Sequence, residues 1–301
     1  MKYVSLHHHT TFSYGDGYGL PEEHVARTAE LGMSAQAVTE HGNASSHVQH
    51  EKACEKYGIK PIFGLEAYTA PVDMRETGNQ RKWHLTLLAA NPEGYRNLMR
   101  LITKSWSEGF YRWPTITGPM LAEHHEGLIV LSGCADSHLA CTLLGGKGIE
   151  EGDERAADRV IQGYKDLLGD RFYLECQQFP ELERSRAINE WYASRSKRHG
   201  VPLVATSDIH YPAADDNKVQ VILHAASRGG STVAQAEAEW EYDIRLTHPA
   251  TDDAILARLR ATGLTGPQAE AAVHSTSEIA NRCDVTLPKV CLLYTFRAHE
   301  T

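Results

Sequence analysis

Short apolar segments alternate with longer amphipathic segments over the first two thirds of the chain. β-Branched and other apolar residues dominate the short segments, and apolar residues at helical spacing mark the longer ones. This alternation is typical of strand–helix units around a parallel sheet, so the pattern predicts an α/β fold. The seven predicted strands span approximately residues 3–9, 35–41, 61–67, 83–89, 127–133, 171–177 and 202–208.

Capping residues and helical spacing together predict the helices. The run Asn91-Pro92-Glu93 supplies an N-cap, a proline at the first helical position and an acidic first turn. Gly169 and Gly200 follow two of the amphipathic segments at positions that suit a helix C-terminus. The predicted helices span 21–31, 95–106, 154–168, 181–199, 215–226, 252–261 and 266–282.

The strand pattern ends after Asp208, and only helical segments follow. We therefore place a boundary near Pro212, with a barrel-type α/β domain over 1–212 and a small helical C-terminal appendage over 213–301. A length of 301 residues allows either two domains or one barrel with an appendage. The stretch 71–82 is polar and rich in helix breakers, so it is predicted to join the third and fourth strands as a loop.

Charge and cysteine usage exclude several classes of protein. The chain has 30 Lys and Arg against 39 Asp and Glu, a net charge of −9, which removes the global attraction that drives non-specific binding to nucleic acid. The six cysteines contain no Cys-x-x-Cys pair, so they are expected to be reduced thiols rather than a disulfide framework. No apolar run approaches the roughly 20 residues of a membrane helix, and no signal peptide is evident, so we expect a cytoplasmic protein without membrane contact.

The chain has 17 histidines, and metal-binding residue types recur at the ends of the predicted strands. In a strand, residues i and i+2 face one side, so the pairs His7/His9 and Asp208/His210 can each hold one ion. Barrel enzymes carry their catalytic residues at this rim, although histidines buried for packing are the alternative. Imidazole, carboxylate and thiolate suit Zn²⁺, Mn²⁺ or Fe²⁺ without selecting one of them. The residues at strand ends are His7, His9, His41, Glu66, Cys134, Asp208 and His210, whereas His84 lies at the start of its strand.

These residues stand in ordered motifs that resemble a known family. The motifs are Leu6-His7-His8-His9-Thr10-Thr11-Phe12-Ser13 followed by Asp16-Gly17, Thr39-Glu40-His41-Gly42, Gly64-Leu65-Glu66, His84-Leu85, Leu131-Ser132-Gly133-Cys134 and Ala205-Thr206-Ser207-Asp208-Ile209-His210-Tyr211. They are similar to those of the PHP (polymerase and histidinol phosphatase) family, and most closely to the N-terminal PHP domain of bacterial and phage DNA polymerase III alpha subunits. Where the family commonly has Asp, this chain has Glu40, which affects a supporting contact and no ligand.

The resemblance implies a distorted seven-stranded (β/α)7 barrel, the PHP barrel, with a centre of three divalent ions. Its implied ligand sets are His7, His9, Glu66 and Asp208 for one ion, Glu66, His84 and Cys134 for a second, and Asp16, His41 and His210 for a third. Glu66 would then bridge two ions, and Glu66, Asp208 and His9 are the implied catalytic residues. Closely spaced ions joined by a carboxylate suit hydrolysis of phosphoesters.

The function expected from this resemblance is 3′ to 5′ exonuclease hydrolysis of DNA of the proofreading type, with a DNA 3′ end as substrate. A polymerase body or a proofreading subunit is the expected protein partner. The alternatives are a small-molecule phosphomonoesterase of the histidinol phosphatase type and a metal-stabilised docking module without activity. Because no palm or fingers region follows within 301 residues, the chain is not expected to polymerise DNA.

Several further residues have candidate roles beside simpler structural ones. Arg75, Arg81 and Lys82 lie on the loop that leaves the Glu66 strand and are candidates for phosphate contacts. Glu175 and Gln177 face the same side and could support the ligands. Other residues are expected to be structural: Arg96, Arg100 and Lys104 on a solvated helix face, Trp106, Phe110, Tyr111 and Trp113 as core cover rather than base-stacking residues, and His47, His50, His124 and His125 at the surface.

Overall fold

The fold is organised by one mixed, curled sheet. In the computed structural model, residues 2–70, 82–227, 232–239 and 244–288 are described. Arg75 and Arg81 of the predicted phosphate-contacting loop, and the end of the chain over 290–301, therefore lie outside the described residues. The strands are β1 (Ala35–Val38), β2 (Lys60–Ala70), β3 (Trp83–Ala89), β4 (Phe110–Tyr111), β5 (Trp113–Thr117), β6 (Leu128–Leu131), β7 (Phe172–Gln177) and β8 (Leu203–Thr206).

The strand order is β4-β5-β2-β3-β6-β7-β8, and β1 also pairs with β2. The predicted strands from the second to the seventh are confirmed as β1, β2, β3, β6, β7 and β8, whereas the hairpin β4–β5 was not predicted. This hairpin turns at Arg112, which has a φ of 64°. Its strands are only 2 and 5 residues long, so the alternation of apolar and polar residues is too short to be recognised in the sequence.

The expectation of an all-parallel sheet is wrong at β3. This strand runs antiparallel to both β2 and β6, while β1–β2, β2–β5, β6–β7 and β7–β8 are parallel. Parallel neighbours need a crossover connection, usually a helix, and the sequence between β2 and β3 has no helical pattern. The reversal places the start of β3 at the edge where the parallel strands end.

The N-terminal segment lies between the two sides of the curled sheet. Residues 3–9 form no continuous strand, but isolated parallel bridges join Ser5 to Gln36 and His8 to Ile209. The His9 amide donates to the Ile209 carbonyl at 2.7 Å, and the Ala37 amide donates to the Ser5 carbonyl at 2.8 Å. The segment therefore contacts β1 on one side and the chain that follows β8 on the other.

Helices alternate with the strands and cover the outside of the sheet, and further helices follow the last strand. Asn91 accepts a hydrogen bond from the Gly94 amide at 2.9 Å, which confirms the predicted N-cap, and Gly200 ends its helix with a φ of 62°. The helices are α1 (Pro21–Glu30), α2 (His47–Tyr57), α3 (Pro92–Ser107), α4 (Gly118–Glu123), α5 (His138–Leu144), α6 (Glu154–Leu168), α7 (Glu183–His199), α8 (Asn217–Ser227), α9 (Val233–Glu239), α10 (Asp252–Ala261) and α11 (Gly266–Arg282).

Helix α2 was not predicted because its buried face is polar. Its sequence, HVQHEKACEKY, has too few apolar residues for a helical stripe, and its inward positions include two histidines. His50 donates to the Gln36 carbonyl and His47 to the Gly64 carbonyl, both at 3.0 Å. The expectation that His47 and His50 lie at the surface is therefore wrong, because both attach α2 to the sheet backbone.

The helices after Pro212 share the core of the sheet. Ile255 and Leu259 of α10 belong to the same buried cluster as Leu87 and Leu174 of the sheet. A second cluster joins Leu6 and neighbouring strand residues to the end of α11. No helix in the described ranges is long and apolar enough to cross a bilayer.

The close approach of α3 to the turn before β6 can be tested with two glycine substitutions. A Cβ at Gly94 would lie 1.9 Å from the Gly127 carbonyl oxygen, whereas one at Gly163 in α6 would meet nothing within 4 Å. We expect Gly94→Ala to lower the free energy of unfolding by about 1–3 kcal/mol through overpacking. Gly163→Ala should raise it by about 0.5–1 kcal/mol. Urea unfolding measures both, and equal effects would contradict the packing of this turn.

Candidate metal centre

The predicted ligands come together at one edge of the sheet, around a cavity of about 430 Å³. His7 and His9 lie on the N-terminal segment, buried beneath the cavity. Because β3 is antiparallel, His84 at its start reaches the same edge as the ends of the parallel strands, which resolves its anomalous sequence position. The predicted ligands that line the cavity are Asp16, His41, Glu66, His84, Cys134, Asp208 and His210.

Glu66 is the central residue of this arrangement. Its side chain is 1% exposed, and each carboxylate oxygen faces two imidazoles. Oε1 lies 3.3 Å from His7 Nε2 and 3.0 Å from His84 Nδ1. Oε2 lies 2.6 Å from His41 Nδ1 and 3.5 Å from His9 Nε2. A carboxylate placed in this way can contact more than one ion.

Asp208 completes the inner side of the cavity. Its Oδ1 lies 3.4 Å from His7 Nε2 and 3.5 Å from both His9 Nε2 and His210 Nδ1. Its Oδ2 accepts a hydrogen bond from Gln177 at 3.0 Å, as the strand-end position of Gln177 suggested. Asp208 has a φ of 46°, in the left-handed region that Asp tolerates better than most residues. This backbone conformation turns the chain sharply where β8 meets the cavity.

The remaining ligand candidates form two further groups. Cys134 Sγ lies 3.4 Å from His84 Nδ1, and these two residues form a three-member group with Glu66. Asp16 Oδ2 lies 3.1 Å from His41 Nε2 and 3.3 Å from His210 Nε2. The resemblance implied that Asp16 is the third member of the group that contains His41 and His210. In the structure, His9 also lies within reach of these two histidines.

The buried polar atoms of this centre fit divalent cations. Polar atoms in protein interiors almost always have a hydrogen-bond partner. Here, among the described residues, several converging side-chain atoms are buried without one, although each faces the others. Nitrogen, oxygen and sulfur donors in such a cluster suit Zn²⁺, Mn²⁺ or Fe²⁺. The atoms are His7 Nε2, His9 Nε2, His41 Nδ1, both carboxylate oxygens of Glu66 and Asp208 Oδ1.

Hydrogen bonds behind the centre orient the first two histidines. His7 Nδ1 lies 2.6 Å from Glu175, whose carboxylate also accepts from Thr86, Gly133 and Thr206. His7 Nε2 is therefore left to face Glu66 and Asp208. This contact gives Glu175 the supporting position that the sequence suggested.

Ser13 performs the same task for His9. Its hydroxyl donates to Glu40 at 2.6 Å and therefore accepts from His9 Nδ1 at 2.9 Å, which leaves the Nε2 lone pair toward the cavity. Glu40 also accepts from the Thr10 amide and hydroxyl. Glu40, which stands where the family commonly has Asp, therefore still makes supporting hydrogen bonds.

Neighbouring histidines keep the Glu66 carboxylate charged, and the carboxylates in turn favour protonated histidines. Burial disfavours the charged form of Glu66, but His84, His41 and His7 outweigh it and hold the pKa of Glu66 well below its usual range. Burial likewise opposes protonation of His41 and His210, yet the neighbouring carboxylates raise their pKa values to about 10 and about 9. Burial raises the pKa of the Cys134 thiol well above its usual value. An incoming cation therefore competes with protons at these ligands.

His8 points away from the centre, as the alternation of the first motif predicted. Its Nε2 lies 2.7 Å from His24 Nδ1, and its Nδ1 lies 3.2 Å from the Ser5 hydroxyl. The ring of His248 packs 5.1 Å from that of His8. Burial lowers the pKa of His24 to about 4 and that of His248 to about 3. The cluster is thus neutral and held by hydrogen bonds and packing.

The aromatic residues near β4 and β5 lie at the surface. Trp106 is 52% exposed, and Phe110 and Trp113 are each 43% exposed, so the expectation that they cover the core is wrong. Lys82 Nζ lies 3.4 Å from the centre of the Trp113 ring and 4.2 Å from that of Tyr68. A charged ammonium held between two rings in this way is a cation–π contact.

The expectation of a surface position is confirmed for two arginines of α3 and is wrong for two histidines after α4. Arg96 and Arg100 pair with Glu93 on the exposed face of α3, as expected for a solvated helix face. His124 and His125 were expected at the surface, but their side chains are only 13% and 16% exposed. Arg171 donates to the His125 carbonyl at 2.6 Å, and its guanidinium also lies 3.1 Å from His125 Nδ1.

Sequence reasoning missed His224 and Gln220 of α8. Both side chains are buried and contact Asp16, at 2.6 Å and 3.3 Å respectively. Their spacing of four residues on a predicted helix was the only signal available, and many helix pairs share it.

The three consecutive histidines provide a test of the first motif. We expect His7→Ala and His9→Ala to reduce divalent metal uptake sharply, since both present Nε2 to Glu66 and Asp208. His8→Ala should keep the uptake but lower the free energy of unfolding by about 1–3 kcal/mol, because the buried Nδ1 of His24 loses its partner. Elemental analysis and urea unfolding measure the two effects. Equal metal losses in all three variants would contradict the orientation of His8.

Comparison with known proteins places the chain in one family. The PHP domain family matches residues 5–179 of the chain. DNA polymerase III subunit alpha of Treponema pallidum is 33% identical over 294 residues, covering 96% of this chain and 24% of that protein. The same subunit of Thermus aquaticus is 32% identical over 298 residues, covering 96% and 23%. The chain thus spans about a quarter of the length of these relatives.

Solved structures are more distant. A putative metal-dependent phosphoesterase from Bifidobacterium adolescentis has a TM-score of 0.44 at 15% identity, covering 69% of this chain and 87% of that one. Histidinol phosphate phosphatase from Lactococcus lactis, solved with zinc, L-histidinol and phosphate, has a TM-score of 0.36 at 13% identity, covering 78% and 94%. On the match over 5–179, which spans more than half of its length, the chain belongs to the PHP domain family, and its relatives include DNA polymerase III alpha subunits.

Proposed function

We propose that the chain is a metal-dependent phosphoesterase that removes nucleotides from DNA 3′ ends. The observation that carries this proposal is the set of buried ligand atoms that converge on one cavity without hydrogen-bond partners among the described residues. Packing alone gives no reason to bury at one place so many polar and charged atoms that face only one another. A centre that can hold several cations beside an open cavity suits hydrolysis of a polyanionic ester.

The proposed architecture is the distorted seven-stranded barrel of the family. In it, the N-terminal segment acts as the first strand and closes the ring between β1 and the end of β8. The parallel bridges Ser5–Gln36 and His8–Ile209 support this closure. The ring then contains the N-terminal segment, β1, β2, β3, β6, β7 and β8, with β4 and β5 as an outer hairpin.

We propose three ions, held by the sets that the family pattern implies. When bound, they would polarise a phosphoryl oxygen and lower the pKa of an attacking water. The first set is His7, His9, Glu66 and Asp208, the second is Glu66, His84 and Cys134, and the third is Asp16, His41 and His210. The distances within each set support this division.

Glu66, Asp208 and His9 are the proposed catalytic residues. Glu66 and Asp208 remain carboxylates because the surrounding histidines lower both pKa values against the effect of burial. His9 remains neutral, since burial lowers its pKa to about 3. These three side chains thus offer two fixed negative charges and one neutral nitrogen to the same cavity. The hydrogen bond from Gln177 to Asp208 and the one between His9 and Ser13 fix the orientation of Asp208 and His9.

Lys82 is the described residue best placed to contact the phosphate of a substrate. Burial and the nearby Lys147 lower the pKa of Lys82 to about 8, and Glu66, Asp16 and Asp136, which line the cavity, lie close enough to oppose part of that shift. The rings of Trp113 and Tyr68 fix its ammonium at the rim. Arg75 and Arg81 remain candidates for the same role from the sequence. We propose DNA as substrate because the relatives of this chain are DNA polymerase III alpha subunits, and a polymerase body or a proofreading subunit as partner.

The bridging role of Glu66 predicts how metal content responds to its loss. Glu66→Ala should lose more than one ion per chain, because one carboxylate serves two sets. Glu55→Ala on the exposed face of α2 is the matched control and should keep the wild-type content. Elemental analysis of metal-loaded, desalted protein gives the count. One ion or none in the wild type would contradict the trinuclear centre.

The proposed activity predicts release of nucleotides from a 3′-labelled single strand, supported by Mn²⁺ or Zn²⁺ and stopped by chelator. Asp208→Asn should abolish it. Lys82→Met should slow it and reduce the slope of log affinity against log salt by about 0.7, the value for one phosphate contact on a single strand. The exposed Lys197→Met is the matched control for Lys82.

The rival functions give different outcomes in the same assay. A small-molecule phosphatase would turn over histidinol phosphate and ignore oligonucleotides at any salt concentration. A docking module would bind metal and cleave neither substrate. DNA degradation that persists in Asp208→Asn would assign the signal to a contaminating nuclease.

A further inference from the structure

The two carboxylate oxygens of Asp16 face different parts of the chain. Oδ2 faces the proposed third ion site, 3.1 Å from His41 Nε2 and 3.3 Å from His210 Nε2. Oδ1 faces α8, where His224 Nε2 donates at 2.6 Å and Gln220 Nε2 donates at 3.3 Å. One oxygen is thus held by hydrogen bonds while the other is directed at ligand nitrogens.

The two donors come from the helical segment that follows the barrel. His224 and Gln220 lie one helical turn apart on α8, so both project from the same side of the helix. Their residues are only 3% and 2% exposed, although both are polar. Ser227, at the end of α8, donates to the Gly15 carbonyl at 3.3 Å. The end of α8 therefore lies against the loop that carries Asp16.

Asp16 depends on such support more than the other carboxylate ligands do. Its side chain is 31% exposed, against 1% for Glu66 and 16% for Asp208. It also lies in a turn, where the Asp16 and Gly17 amides both donate back to the Ser13 carbonyl. A carboxylate on a turn can rotate between several orientations unless a second contact selects one. Contacts behind a metal ligand commonly change metal affinity 10–100-fold.

We propose that His224 and Gln220 are positioning residues for Asp16, so that α8 completes the third ion site. This inference rests on the proposed function only through the ligand role of Asp16, and it does not depend on the substrate. Its consequence is that residues 1–212 do not hold the full set of ions by themselves. The C-terminal segment is then part of the metal centre as well as of the core.

The test uses the full chain loaded with Co²⁺ and compares metal affinity with folding. His224→Leu should weaken one of the three ions about 10–100-fold and leave two in place. The thiolate-to-cobalt absorption from the Cys134 set should keep its wild-type intensity, because that set has no contact with α8. His224→Gln, which keeps an N–H donor, should recover most of the lost affinity. Asp16→Asn should weaken the same ion as His224→Leu.

Two controls separate a positioning role from a structural one. His274→Leu removes an exposed histidine of α11, whose side chain is 72% exposed, and should change neither ion count nor affinity. If His224→Leu fails to fold, Gln220→Leu carries the same comparison. Three ions of wild-type affinity in a folded His224→Leu or Gln220→Leu protein would overturn the inference, and so would equal weakening of all three ions. A wild type that binds three ions but cleaves no phosphoester would refute only the proposed function.

Discussion

The arrangement of the site depends on one buried carboxylate. Glu66 lies almost fully inside the protein on β2 and remains charged, and a buried charge is stable only where opposite charges or donors surround it. His7, His41 and His84 meet this requirement from three different segments of the chain. Each must therefore reach the same point, which fixes how the N-terminal segment, β1, β2 and β3 meet at one edge of the sheet.

This requirement extends outward through a second layer of hydrogen bonds. Glu175 is itself a buried carboxylate, and it is satisfied by His7, Thr86, Thr206 and the backbone of Gly133. Since its partners lie on different elements, the hydrogen bonds that orient a ligand also hold the N-terminal segment, β3, β7, β8 and the chain after β6 together. Replacing one such group leaves another buried and unpaired, so stability and metal binding are coupled in this part of the protein.

The sequence was informative where the structure obeys a local period. The strand and helix segments, the Asn91 cap and the opposite orientations of His7 and His8 follow from periodicities of two and 3.6 residues. The sequence was uninformative where a feature depends on contacts between residues that are far apart along the chain. The reversed direction of β3, and with it the position of His84, depends on which strands become neighbours. The face of α2 is polar because His47 and His50 bind the sheet backbone, and the contact of His224 with Asp16 spans 208 residues.

An acidic chain that binds a polyanion must concentrate its attraction at a few positions. A free lysine side chain loses considerable conformational entropy when it is fixed on a phosphate. Lys82 avoids part of that loss, because Trp113 and Tyr68 already hold its ammonium at the rim. The exposure of Trp113 has a physical reason in this arrangement, since a ring that holds a rim lysine must itself reach the surface. A single preorganised cation can position a phosphate but adds little total affinity. Because the chain has a net charge of −9, tight binding of the proposed DNA substrate would need further contacts from a partner.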